Sequence, residues 1–281
     1  MNDKKVLTIQ DISCYGQCSL TVALPVISAC GTETAILPSA VLSTHTGGFT
    51  GYTFRDLTDD IPKIAEHWNK ENISFDAIYT GYLGSKRQIN SVKNIMAKLL
   101  NTGGVKIVDP AMADNGKLYT GFDAAFAKEM ASLCGEADVI LPNITEACLM
   151  TDYPFKAQGE YDEKYIAGLL KALAALGCNA VVLTGVTYEE NSLGAAVYDC
   201  KKNETRYYFH QRIAKSFHGT GDVFASAFTG AVVKGKSYFD AAVLAADFTV
   251  ESILKTADDA NHRYGVKFEK ALPLLVKELN K

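Results

Sequence analysis

Short apolar runs alternate with longer amphipathic stretches along this chain. Runs of three or four mainly apolar residues, each ending at small or polar residues, predict buried strands at residues 6–9, 35–37, 77–79, 105–108, 139–141 and 181–183. Between these runs, apolar residues recur at helical spacing, as in residues 162–176, where Ile166, Leu169 and Leu173 share one face. Strand–helix alternation of this kind predicts an α/β fold, with a mostly parallel central sheet and helices on both faces.

The same periodicity predicts further elements. Helices are expected over residues 19–29, 87–100, 122–133, 222–234, 239–255 and 266–279. Residues 195–198 and 205–209 predict an antiparallel hairpin. The polar, glycine-rich segment 42–52 predicts a small flap over the edge of the sheet. Because no repeat, low-complexity tract or linker interrupts the pattern, we expect a single domain over residues 1–281.

Charge and cysteine usage exclude several classes of partner. The net charge of −4 comes with scattered lysines and arginines, which argues against a nucleic-acid-binding surface. The seven cysteines are odd in number and widely spaced, which favours free thiols in a reducing cytoplasm over disulfides or a zinc site. No signal-peptide pattern is seen and no apolar run is long enough to span a bilayer. We therefore expect a cytoplasmic protein that acts on a small molecule.

Polar residues follow the predicted strands. They are Asp11, Tyr82, Asp109, Asn143 and Thr184. Because ligands of open parallel sheets bind beyond the carboxyl ends of the strands, we expect these side chains to converge at one edge.

The segment Gly219-Thr220-Gly221-Asp222 precedes a long apolar run. Two glycines beside an acid predict a tight loop that opens a buried helix, and the first amides of a helix attract anions. Asp222 is then either an ordinary helix-start residue or a base that removes a proton from a hydroxyl attacking a phosphorus atom.

Five segments together resemble the pyridoxal kinases of the ribokinase superfamily, and the resemblance covers nearly the whole chain. The segments are Ser-Thr-His-Thr-Gly at 43–47, Thr-Gly-Tyr at 80–82, Val-Asp-Pro at 108–110, Asn143 with Glu146, and Gly-Thr-Gly-Asp at 219–222. The resemblance implies that ATP and Mg²⁺ phosphorylate the 5′-hydroxymethyl group of a vitamin B6 vitamer. No Walker A loop is present in the sequence, and that superfamily does not use one.

The resemblance also implies a role for each matching residue. Asp222 would be the general base, and Gly219, Thr220 and Gly221 would donate amides to the transferred phosphoryl group. The substrate would be bound by Asp11, Ser13, His45, Thr46, Tyr82 and Tyr119. ATP would be bound by Asp109, Asn143, Thr184, Gly185 and Lys215. Magnesium would be held near Glu146, Asp114 and Asn143, a monovalent cation such as K⁺ would lie at Thr184, and the chain would form a homodimer.

Several of these residues have ordinary structural alternatives. The spacing of Asn143 and Glu146 is also that of a helix capping box. Asp109 before Pro110 is also typical of a turn. His45 is alternatively a satisfied structural residue, and Lys215 a solvated lysine.

Asp11 departs from the resemblance, since animal pyridoxal kinases carry serine at this place. A carboxylate would pair with a protonated pyridine nitrogen, or accept from the 3-hydroxyl group, better than serine. The departure leaves open a related heterocycle, as in the hydroxymethylpyrimidine kinases of thiamine synthesis. Some of their relatives use a cysteine in the anion loop, which is absent from residues 218–222 here. The third alternative is a sensor of nucleotide or pyridoxal phosphate that lacks catalysis.

Overall fold

The structure is a computed structural model that describes residues 3–281. Its strands are β1 (Lys5–Ser13), β2 (Glu33–Leu42), β3 (Phe54–Asp56), β4 (Phe75–Thr80), β5 (Leu100–Val108), β6 (Ala113–Asp114), β7 (Lys117–Leu118), β8 (Val139–Ile140), β9 (Ala180–Val186), β10 (Ser192–Asp199) and β11 (Glu204–Gln211). Its α-helices are α1 (Leu20–Ala29), α2 (Ile61–Lys70), α3 (Lys86–Leu99), α4 (Ala124–Cys134), α5 (Ile144–Thr151), α6 (Glu163–Ala174), α7 (Thr220–Val233), α8 (Tyr238–Thr256) and α9 (Leu272–Leu279).

The chain divides into two compact units. The first comprises Met1–Val105 with Ile213–Lys281, and the second is Lys106–Arg212. In the first unit the strand order is β5-β4-β1-β2-β3. Strand β1 pairs in parallel with both β2 and β4, while β3 returns antiparallel to β2. Val6, Leu7 and Ile9 of β1 are fully buried, as is typical of a central parallel strand that helices cover on both faces.

The second unit contains the other half of the strands, in the order β11-β10-β9-β8-β5. The last residues of β5 pair in parallel with β8, and β8 pairs in parallel with β9. Strand β10 runs antiparallel to both β9 and β11, and β6 with β7 forms a separate two-stranded ribbon. The large, mostly parallel sheet with flanking helices confirms the predicted fold class. The single-domain assignment stays a prediction.

All six predicted strands and the hairpin are confirmed, and most are longer than predicted. One predicted helix is wrong in form: residues 266–279 hold a short 3₁₀ helix at Phe268–Lys270, followed by α9. Pro273 lies in the first turn of α9, where its fixed φ and missing N–H suit a helix start and not a helix interior. The predicted elements do not include helices α2 and α5 or the short strands β3, β6 and β7.

No helix within residues 3–281 combines the length and apolar character of a membrane span.

Candidate active site

Asp11 lies near the end of β1 in the first unit and is only 7% exposed. The pairing of β1 with β2 shifts register between Gln10 and Ile12, and such irregularities re-aim side chains beside functional sites. One carboxylate oxygen of Asp11, Oδ1, accepts a hydrogen bond from Ser19 Oγ at 2.6 Å. The other, Oδ2, accepts from Ser13 Oγ at 3.2 Å. Two serine hydroxyl groups therefore fix the orientation of this carboxylate.

Burial raises the pKa of Asp11, whereas the hydrogen bonds from Ser19 and Ser13 and the charge of His45 lower it. Burial outweighs these opposing effects, so the ionised carboxylate is only partly compensated by the protein. A carboxylate in this condition gains most from a ligand that brings a positive charge or an N–H group.

We expect Asp11→Asn to change how stability depends on pH. A folded-state pKa above the usual value of 3.8 means that the folded protein binds this proton more tightly than the unfolded chain. The contribution of Asp11 to stability is therefore largest below pH 3.8 and declines as pH rises through the folded-state pKa. The free energy of unfolding of Asp11→Asn, minus that of the wild type, should increase between pH 4.5 and pH 7.5 in urea titrations. A difference that stays constant over that range contradicts this prediction.

Tyr82 lies in the same neighbourhood. Burial, together with the negative charge of Asp11 and the hydroxyl group of Tyr52, raises the pKa of Tyr82 to about 12. Asp11, Tyr82 and Tyr52 are therefore close enough to interact electrostatically. Tyr52 is 40% exposed and belongs to the predicted flap, which the structure places between β2 and β3, but it is not among the predicted site residues. An aromatic residue beside a glycine in this polar segment was the available signal.

Two histidine rings enclose Gly47 of the flap. The ring centroids of His45 and His218 lie 5.2 Å apart. A Cβ atom on Gly47 would lie 2.7 Å from His218 Nδ1 and 2.7 Å from His45 Cε1. The backbone N–H of Gly47 also donates to His45 Nδ1 at 3.1 Å. His45 therefore has the structural role left open above and also connects the flap to the residue before the anion loop, while Thr46 is exposed.

The anion loop adopts the predicted form with one shift. Helix α7 begins at Thr220, two residues earlier than expected, and Asp222 lies in its first turn. Gly219 is the N-cap in the left-handed conformation, with φ of 75°. A Cβ atom on Gly219 would lie 2.1 Å from the backbone oxygen of Gln17, so only glycine fits this position. At Gly221 a Cβ atom would meet no atom within 4 Å, so the first amides of α7 have free space beside them.

Cys18 connects the loop to the strand end. Burial raises the pKa of the Cys18 thiol far above its usual range, and the charges of Asp222 and Asp11 both add to this effect. The two acids therefore act on one buried atom from within the same unit. Lys215 is also a predicted site residue of this unit, but its contact lies at a different helix. Its Nζ donates to the backbone oxygen of Ala257 at the end of α8.

In the second unit, Asn143 and Glu146 form a capping box at the start of α5. Asn143 Oδ1 accepts from the backbone N–H of Glu146 at 2.9 Å, and Glu146 Oε2 accepts from the backbone N–H of Asn143 at 3.0 Å. Glu146 Oε1 also accepts from the backbone N–H groups of Met112 at 3.0 Å and Ala113 at 3.4 Å. The capping alternative is therefore confirmed, and the magnesium role stays a prediction.

Glu146→Ala should destabilise the fold by about 3 kcal/mol, because several buried N–H groups lose their acceptor at once. Glu163→Ala is the matched control, since Glu163 also lies in the first turn of a helix, α6, whose N-cap side chain is Asp162. Chemical denaturation of both variants measures the difference. Equal loss in the two variants would show that the Glu146 contacts contribute little.

Three acids of the second unit are linked electrostatically, because Asp114 acts on Glu146 and Glu146 acts on Asp109. Burial raises the pKa of Glu146 to about 7 against the opposing backbone N–H groups, and Asp114 adds to the increase. Burial and then the charge of Glu146 raise the pKa of Asp109 to about 8, although Asp109 Oδ1 accepts from the backbone N–H of Ala111 at 3.1 Å. The turn alternative for Asp109 is therefore also present.

These oxygen donors fit a magnesium ion. A divalent cation would favour the ionised form of these buried carboxylates. Mg²⁺ usually keeps several waters and takes only one or two carboxylates. Within residues 3–281 no three His, Cys, Asp or Glu side chains form a metal-binding group.

Thr184 and Tyr119 complete the second unit. Thr184 forms a parallel bridge to Asn143, and its backbone N–H donates to the oxygen of Pro142 at 2.9 Å. Gly185, next to it, has φ of 75° and open space at its Cβ position. Tyr119 is 46% exposed and is anchored by its backbone N–H to the oxygen of Met112 at 2.8 Å. Asp109 directly follows β5 and Asn143 lies beyond the end of β8, whereas Thr184 lies within β9, so the prediction that Thr184 follows its strand is wrong.

The sequence profile of the phosphomethylpyrimidine kinases matches residues 24–266. The chain belongs to the phosphomethylpyrimidine kinase family. A solved structure from Bacteroides thetaiotaomicron VPI-5482, described as a member of this family and crystallised with pyridoxal, is 36% identical to the chain. The similarity covers 98% of this chain and 96% of that one, with a TM-score of 0.91.

Other relatives of this chain are named as kinases of the B6 vitamers. The pyridoxal kinase from Lactobacillus plantarum is 29% identical over 98% of this chain and 97% of its own, with a TM-score of 0.90. The pyridoxine/pyridoxal/pyridoxamine kinase of Bordetella avium is 26% identical over 91% of this chain and 87% of its own. The predicted resemblance to pyridoxal kinases is confirmed.

Proposed function

We propose that this chain is a pyridoxal kinase, which uses ATP to phosphorylate the 5′-hydroxymethyl group of pyridoxal, pyridoxine or pyridoxamine. One observation carries the proposal: the partly compensated Asp11 carboxylate and the helix-start acid Asp222 both act on the same buried atom, Cys18 Sγ. The proposed ring-binding group and the proposed base therefore both act on one neighbourhood of the first unit. The named relatives, and the pyridoxal bound to one of them, support this substrate class.

The first unit binds the vitamer in this proposal. Asp11 accepts a hydrogen bond from the protonated ring nitrogen, and Ser13 assists it. The ring of Tyr82 packs against the pyridine face, a contact worth about 0.5–1.5 kcal/mol beyond burial. Thr46 and His45 of the flap bind the ring substituents.

Asp222 accepts the proton of the 5′-hydroxyl group as that oxygen attacks the γ-phosphorus of ATP. The new bond joins the substrate oxygen to phosphorus, the bond from phosphorus to the β–γ bridging oxygen breaks, and ADP leaves with that electron pair. The amides of Gly219, Thr220 and Gly221 stabilise the negative charge on the transferred group. Phosphoryl transfer depends mainly on positioning and charge, so these residues supply most of what the reaction needs.

Residues of the second unit bind the nucleotide and its cations in this proposal. Asp109, Asn143, Thr184 and Gly185 contact ATP. Glu146, Asp114 and Asn143 hold Mg²⁺ through water, and Thr184 takes part in binding K⁺. When bound, Mg²⁺ neutralises charge on the phosphate oxygens.

The matching family profile favours one second candidate, a hydroxymethylpyrimidine kinase. Both substrates present a hydroxymethyl group on a nitrogen heterocycle, and the Asp11 carboxylate is able to accept a hydrogen bond from either ring. A non-catalytic sensor is the remaining alternative, and the presence of Asp222 argues against it because a sensor needs no base.

A coupled assay of ADP release separates these functions. Purified protein is given ATP, Mg²⁺ and, in turn, pyridoxal, pyridoxine, pyridoxamine and hydroxymethylpyrimidine. We expect the highest kcat/KM with a B6 vitamer. Turnover with hydroxymethylpyrimidine alone contradicts the proposal in favour of the second candidate. Tight binding without turnover of any compound supports the sensor.

We also propose a cytoplasmic homodimer. The seven cysteines are all free thiols, which supports a reducing compartment. The dimer rests on the resemblance to pyridoxal kinases, and sedimentation velocity measures it directly.

A further inference from the structure

We infer that Ser19 is a positioning residue for this kinase, whose hydroxyl group holds the Asp11 carboxylate in the orientation that binds the substrate ring. This inference rests on the function proposed above. Ser19 carries none of the roles assigned from the sequence. The evidence is its hydrogen bond, its backbone conformation and its place at the start of α1.

The hydroxyl group of Ser19 is committed to Asp11. It donates to Oδ1 at 2.6 Å, shorter than the 3.2 Å of the bond from Ser13 to Oδ2. Ser19 is 7% exposed, so water competes little for this contact. A short hydrogen bond from a hydroxyl group to a carboxylate is among the stronger kinds that proteins form. Of the two serines, Ser19 therefore has the better geometry for fixing the carboxylate.

The position of Ser19 is unfavourable in two other respects. Ser19 is the N-cap of α1, and serine is a preferred residue at that position because its side chain usually caps the helix. The Ser19 side chain nevertheless accepts no capping hydrogen bond. Its φ of 50° and ψ of −132° match the first central residue of a type II′ turn, where glycine is preferred. Glycine would relieve the backbone, and a free serine would cap the helix. The observed arrangement does neither, and what it provides is the contact with Asp11.

Other titratable groups also face Asp11. His45 acts on Asp11 from the flap, Asp11 acts on Tyr82 after β4, and Cys18 is influenced by Asp11 and by the hydroxyl groups of both serines. A pH profile alone would therefore not isolate Ser19. A comparison of variants that differ only in the hydroxyl group and the backbone does isolate it.

The test compares Ser19→Ala and Ser19→Gly with the exposed control Ser28→Ala on the same helix. We expect KM for pyridoxal to rise about tenfold in both Ser19 variants, because the carboxylate loses its main orienting donor. KM for ATP and kcat should stay within about twofold of the wild type, as should all constants of Ser28→Ala. The glycine variant suits the positive φ, so it should melt at or above the wild-type temperature even if the alanine variant folds poorly.

A double-mutant cycle with Asp11→Ala shows whether Ser19 acts through Asp11. Adding Ser19→Gly to Asp11→Ala should change KM for pyridoxal by less than twofold. An unchanged KM in both single Ser19 variants, or a further tenfold rise in the double variant, overturns the inference.

The same cycle distinguishes this inference from the proposed function. If Asp11→Ala leaves KM for pyridoxal unchanged, the proposed role of Asp11 fails, and with it the inference about Ser19. If Asp11→Ala raises KM and the Ser19 variants do not, only the inference fails. If the wild type turns over no vitamer, the proposed function fails. The double-mutant cycle is then measured as free energies of unfolding in urea. Non-additive unfolding energies then support the Ser19–Asp11 coupling, and additive ones overturn it.

Discussion

Asp222→Asn should lower kcat by about 10²–10⁴-fold with pyridoxal as substrate, while the dissociation constant for ATP changes little. Asparagine keeps the size of the side chain and its place in the first turn of α7 but is unable to accept the proton of the attacking hydroxyl group. Steady-state kinetics measures kcat, and titration calorimetry measures the dissociation constant for ATP on the same preparation.

Asp240→Asn is the matched control for this variant. Asp240 also lies in the first turn of a long helix, α8, where Ser237 donates to it. Both substitutions remove an acid that favours a helix N-terminus, an effect of about 0.3–1 kcal/mol on stability. Only Asp222→Asn should lose turnover. Near-normal turnover in Asp222→Asn would refute its assignment as the base.

Gly219→Ala and Gly221→Ala should fail in different ways, although only one residue separates the two glycines. At Gly219 the new methyl group meets the Gln17 backbone oxygen at 2.1 Å, and the residue has positive φ. We expect a loss of about 4 kcal/mol in the free energy of unfolding from the clash and the strain together, with loss of activity as a consequence.

At Gly221 the methyl group meets no protein atom within 4 Å. Alanine is the better helix former, so the free energy of unfolding should stay the same or rise by up to about 1 kcal/mol. The methyl group would nevertheless occupy the approach to the α7 amides, and kcat should fall about a hundredfold if those amides stabilise the transferred phosphoryl group. Full activity in Gly221→Ala would place the phosphoryl group elsewhere. Thermal melting and turnover of both variants separate the two outcomes.

The order of the elements was predictable from the sequence because strands and helices leave different periodicities. Each predicted strand was found, since an apolar run bounded by polar residues has few other ways to be buried. Helix α2 is absent from the predicted elements although Ile61, Ile64, Ala65 and Trp68 recur at helical spacing, so the signal was available in the sequence. The sequence predicts one helix over residues 266–279 because periodicity does not show where backbone hydrogen bonding is interrupted.

The candidate site was only partly predictable. Asp11, Asn143 and Asp222 could be singled out because they follow predicted strands or open a predicted helix, where ligands of open parallel sheets bind. The positioning role of Ser19 could not be found this way, since it depends on a backbone angle and on a contact across eight residues. The role of Glu146 was ambiguous, because a capping box and a metal ligand use the same residue types at the same spacing.

The partly compensated Asp11 carboxylate on β1 affects how the stability of this protein can be engineered. A library screened for heat resistance alone should enrich neutral replacements at position 11, since burial there penalises the charged form. The selected variants would be more stable to heat but would bind the proposed B6 substrate more weakly. Heat tolerance is therefore better sought at sites remote from this strand end, with catalytic selection applied in parallel.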